Sequence, residues 1–145
     1  MAWYDQVDDS LKWRLGSRKR DVAGNEYVYL KGVASLVAED FVTYTVDDYT
    51  AVRAVADATG HVAVAMAAVD AATEYGWFGI YGKFTGDTAT VAADKALYLT
   101  STAGRLDDTD VAGDAVVGIK TTAADTANSC VVDMNYPFVH DIAID

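Results

Sequence analysis

One cysteine, one proline and two histidines are all that 145 residues hold of the types that most often carry cross-links, chain breaks and proton transfer. The lone Cys130 excludes an internal disulfide, so the fold must stand on packing, and the chain suits a reducing compartment. No run of about 18 apolar residues occurs, which excludes a membrane-spanning helix. Positive charge is scarce: 11 Lys and Arg stand against 22 Asp and Glu, a formal net charge of -11. A field of that sign repels nucleic acid and anionic lipid, so neither nucleic acid nor a membrane is an expected partner. Where a secretion signal would place an apolar run, the chain has Trp3, Tyr4, Asp5, Asp8 and Asp9, and its start is expected to be retained.

What is abundant is small or β-branched. The sequence contains 25 Ala, 19 Val and 14 Thr, and residues counted as hydrophobic make up 52%. Val and Thr favour the pleated surface of a sheet, and a chain of this length forms one domain that buries roughly 68–70% of its unfolded surface. From Glu26 onward side-chain types alternate with period two in Tyr27 to Lys31, Phe41 to Val46 and Val62 to Met66, and further short runs are Gly76 to Phe84, Ala96 to Thr100, Asp114 to Thr121 and Ser129 to Met134. Turn-forming stretches such as Thr85-Gly86-Asp87 and Thr102-Ala103-Gly104 separate them. Many short strands at this spacing predict an all-β domain over residues 26–145, a small β-barrel or β-sandwich of jelly-roll or tulip type. The alanine-rich stretch around Val69 to Glu74 has the composition for one short helix.

Residues 1–25 read as an N-terminal arm of opposite sign. Lys12, Arg14, Arg18, Lys19 and Arg20 outnumber three Asp within the first twenty residues. Trp3, Val7, Leu11 and Leu15 recur at a four-residue step, which predicts a short helix with one apolar face. Such an arm either folds back on its own domain or docks on a neighbour. Aromatic and arginine side chains are the usual anchors of interfaces, so the expected contact residues are Trp3, Tyr4, Leu11, Trp13 and Arg14, with Trp77 in the body. Asp107, Asp108 and Asp110 of a neighbouring copy offer the arm an acidic counterpart.

Chemistry of the catalytic kind has few candidates. His-Glu-x-x-His, Cys-x-x-Cys, Gly-x-Ser-x-Gly and a Walker loop are all missing, so an enzyme is not expected. Cys130 lies in the apolar run Cys130-Val131-Val132 and reads as a buried, inert thiol. Gly79, Gly82 and Gly86 have the wrong spacing for a nucleotide loop and mark close backbone approach within a strand instead. Asp107, Asp108, Asp110 and Asp114 supply oxygen ligands but lack the glycine and terminal glutamate of a calcium loop, so no metal or other cofactor is expected. Tyr75, Trp77 and Tyr81 supply an alternative to packing in the core, an exposed aromatic platform that stacks on sugars.

The middle and end of the chain follow a recognisable order. Val62 to Met66 is followed by Glu74-Tyr75-Gly76-Trp77-Phe78-Gly79-Ile80-Tyr81-Gly82, then by Ala96-Leu97-Tyr98-Leu99-Thr100-Ser101-Thr102-Ala103-Gly104, by Val116-Val117-Gly118-Ile119, and by Val131 to Phe138 with Pro137 near its end. Over residues 60–138 this order resembles the capsid decoration, or cement, proteins of tailed bacteriophages. The resemblance implies a structural virion protein that assembles in the bacterial cytoplasm, often as a homotrimer. Such a protein binds the major capsid protein on the outer surface of the shell and stabilises contacts between capsomers.

Overall fold

The β-branched and aromatic runs become strands, and almost nothing else forms. The computed structural model describes residues 2–140. A 3-10 turn at Trp3–Asp5 precedes eleven strands: β1 (Val7–Asp8), β2 (Arg18–Arg20), β3 (Glu26–Lys31), β4 (Phe41–Tyr44), β5 (Val52–Arg53), β6 (Gly60–Ala65), β7 (Tyr75–Asp87), β8 (Ala96–Leu99), β9 (Leu106–Asp107), β10 (Ala115–Thr121) and β11 (Ser129–Val139). The protein is all-β. Its strands form one antiparallel sheet that does not close, ordered β2-β3-β7-β6-β11-β10-β8-β9, with β1 added to β7 and the β4–β5 pair branching from β6.

The two helices expected from the sequence do not form. An isolated helix of this length nucleates poorly, and both segments find backbone partners elsewhere. In the first, Val7 and Asp8 pair with Gly76 and Tyr75, and Arg18–Arg20 pair with Val28, Tyr27 and Glu26. The four-residue stripe therefore splits, with Trp3 and Leu15 packing on the core while Val7 and Leu11 face solvent. In the second, Val69 O and Glu74 O accept from Val33 N and Gly32 N, while Glu74 Oε1 accepts from Asp70 N, so these groups hold a loop.

Alternation along the strands divides the core into two apolar clusters. Tyr27, Tyr29, Phe41, Val62, Val64 and Trp77 join one; Val28, Leu30, Val42, Ala63, Ala65 and Phe78 join the other. The central strands are thus buried on both faces, with every residue of β4 and the first five of β3 buried. Gly79 shows why β7 is glycine-rich, since a Cβ there would lie 2.6 Å from the Phe84 ring.

β7 is the hub. β3 lies along one side of it from Tyr75 to Tyr81, and β6 occupies the other side at Phe78 and Gly79. From Tyr81 to Asp87 β11 takes the place of β6. β6 and β11 then meet each other at His61↔Phe138 and Gly60↔Val139. At the junction Val62–Ala63, Ile80 and Tyr136–Pro137 pair across to none of the three strands. Pro137 has no N–H to contribute, which is why it is tolerated inside β11, where the sequence predicted a strand end. Gly118, opposite it in β10, has φ +89° and marks a bulge between Val117↔Phe138 and Ile119↔Met134.

Candidate functional site

The residues expected at an interface converge, in part, on one edge of the sheet. β1 and β2 bring the N-terminal segment across β3 and β7, where Trp3 meets Trp77 edge-on at 5.3 Å and Tyr27 at 5.1 Å, while Tyr4 stacks on Tyr27 at 4.9 Å. Trp13 approaches Trp77 at 5.8 Å from a second direction. Such pairs each add about 0.5–1.5 kcal/mol beyond their buried area. The Lys19 ammonium lies over both indoles, 4.5 Å from Trp3 and 4.6 Å from Trp13, so two tryptophans clasp one cation of β2.

Beneath this cluster Asp8 is buried and accepts a 2.6 Å hydrogen bond from the Tyr29 hydroxyl, which itself accepts from Lys12 N at 3.4 Å. Burial and, next, that bond to Asp8 push the Tyr29 phenol far above its ordinary pKa, so it stays a donor. A cavity of about 240 Å³ opens between Trp3, Asp8, Trp13, Lys19 and Trp77. Leu11 and Trp13 are 55% and 46% exposed, and Arg14 is exposed with no ion-pair partner among the described residues.

Trp3, Tyr4, Trp13 and Trp77 are therefore neighbours, while Leu11 and Arg14 flank them on the exposed loop. Trp77 departs from expectation: it is 4% exposed beneath the N-terminal segment and offers no sugar platform. Tyr75 is half-buried, and Tyr81 is spent in a 5.1 Å stack on Tyr136.

The other face of β2 carries Arg18 and Arg20. Both reach Glu26, at 3.5 Å and 3.0 Å, and the Tyr136 hydroxyl donates to the same carboxylate at 2.8 Å. Arg18 also lies over the Tyr136 ring at 5.6 Å. Beside this network the junction of β6, β7 and β11 encloses a second cavity, of about 280 Å³. Sequence reasoning missed it. Its only linear trace is Pro137 inside an otherwise regular strand run.

The remaining candidates take structural places. Cys130 is buried, its Sγ donates to Ala123 O at 3.0 Å, and burial pushes the thiol pKa up. Asp107 caps Thr109 N at 3.0 Å, Asp108 accepts from Ala92 N, and Asp114 is buried on Asp57 N at 2.8 Å. Among the described residues no three His, Cys, Asp or Glu side chains gather to hold a metal, and no helix is long and apolar enough to cross a membrane. Compared with known proteins, the chain matches no family model and no curated protein.

Proposed function

We propose that the chain is a structural virion protein that binds the outer surface of a bacteriophage capsid as a homotrimer, contacts the major capsid protein and stabilises the joints between capsomers. The observation that carries this reading is the Leu11–Trp13 ridge, exposed beside Lys12 and Arg14 on a chain of net charge -11. Large apolar groups with flanking cations are the composition of an interface anchor, and nothing in their own fold requires them to face water. The strand order over residues 60–138 that resembles the decoration proteins supports the same reading.

The role is one of binding without turnover. A clamp stabilises a shell by mass action, in proportion to how much more tightly it binds assembled capsomers than separated ones. Purified virions are expected to contain the chain at a near-constant ratio to the major capsid protein, and particles stripped of it are expected to release DNA at a lower temperature. Virions lacking the chain, or equal melting of stripped and decorated particles, would overturn the proposal.

A further inference from the structure

We propose that the cavity where β6, β7 and β11 part is a binding site for a small aromatic carboxylate. The site is built by the topology. Val62 and Ile80, both essentially inaccessible, lie at its depth, and Tyr44, His61 and Phe138 wall it. The walls present ring faces and edges in ordered array: Tyr44 stacks on His61 at 5.2 Å with an interplanar angle of 22°, and Phe138 meets His61 edge-on at 4.9 Å and 89°. A planar guest of one ring fits about 280 Å³ and gains the same offset and edge-to-face contacts.

Its mouth selects charge. Two guanidiniums, those of Arg18 and Arg20, share the single carboxylate of Glu26, leaving one positive charge in excess. The sharing is unequal. Glu26 Oε1 takes Arg20 at 3.0 Å and the Tyr136 hydroxyl at 2.8 Å, while Arg18 holds Oε2 only at 3.5 Å. Arg18, which lines the cavity, keeps donors for a second carboxylate. No acidic side chain lines the space. His61 is held neutral near pH 7, since burial first and Arg18 second push its pKa below the ordinary 6.5.

Backbone strain sits at the same place. Tyr136, at the mouth, has φ +46°, a region that a bulky side chain occupies only when its surroundings hold it there. Its hydroxyl on Glu26 and its stack on Tyr81 supply that hold. That conformation sets the phenol and the adjacent Pro137 around the opening.

The test is a titration of the full-length chain with 3-phenylpropionate and, in parallel, with its neutral counterpart 3-phenylpropanol, read by the aromatic NMR signals of His61 and Phe138. Saturable shifts of both signals are expected with the acid, with affinity on the order of millimolar and roughly tenfold tighter than for the alcohol. Arg18→Gln is expected to abolish that tenfold difference, weakening the acid roughly tenfold more than the alcohol. Absence of saturation, equal affinity for acid and alcohol, or shifts centred away from His61 and Phe138 would each overturn the proposal. Should Arg18→Gln fail to fold, the acid and alcohol comparison on the unaltered chain decides alone.

Discussion

In β3 the five residues from Glu26 to Leu30 are buried without interruption, whereas in β2, the strand paired to it, Arg18 and Arg20 are exposed and Lys19 is half-buried. The ladder between them is the same kind of ladder. What differs is the second layer: β3 carries an apolar cluster on each face, and β2 carries cations lying on aromatic rings. Buried apolar area stabilises the fold wherever it lies, at roughly 25 cal/mol per Å², while exposed ion pairs and cation–ring contacts contribute about 1 kcal/mol or less. The centre of the sheet therefore holds the molecule together, and the N-terminal edge leaves aromatic and cationic groups in reach of solvent.

That contrast breaks most directly at Phe78, which is inaccessible between β3 and β6. Phe78→Ala is expected to cost about 3–5 kcal/mol, measured by urea unfolding. A cost no greater than that of an edge substitution would erase the distinction. Tyr29→Phe probes the boundary between the regions, because it removes the 2.6 Å bond to Asp8 and leaves a buried carboxylate without that donor. The expected loss is about 1–3 kcal/mol by the same measurement.

His61 sharpens the comparison through pH. Its folded pKa is depressed, so its neutral form favours the folded state; the contribution is present above about 6.5 and is lost as pH falls through the folded value. Urea midpoints of the parent chain should fall further between pH 7.5 and pH 5.5 than those of His61→Gln, and parallel curves would refute the assignment. The smallest folding effect is expected at Trp13, which is 46% exposed. Trp13→Ala should cost about 1 kcal/mol in stability and, on the proposed capsid role, markedly reduce occupancy of the shell, scored by gel densitometry of purified particles. Unchanged occupancy would remove the edge from the interface.

How much of this was legible in the sequence depended on whether a signal was local. Alternation at Tyr27 to Leu30, Phe41 to Tyr44 and Val62 to Ala65 reports the pleat itself, so these strands were foreseeable to within two residues. The spacing of Trp3, Val7, Leu11 and Leu15 misled, because a four-residue step is also satisfied by a strand and loops whose side chains go to different places. β11 was expected to stop at Met134 and runs on to Val139, since a partner change at Pro137 replaces the ending that proline ordinarily imposes. The aromatic cluster was half legible. Its members were named, yet the burial of Trp77 depends on β1 crossing from far away in sequence, which no local pattern encodes. The cavity at the junction belongs wholly to that second kind.

The position of β11 in the chain has a consequence for the order of events in folding. β11 is the last described strand, yet it supplies the partners of β10 and β6 and of the second half of β7. During synthesis residues 81–87 emerge 42 to 54 positions before their partners in β11, and until these arrive they present an unsatisfied edge. Native pairing of this half of β7 must therefore wait for β11. Slow closure of distant pairings, rather than formation of any local unit, sets its pace. A ribosome-stalled fragment ending before Ser129 is accordingly an aggregation hazard, and slow translation prolongs the exposure.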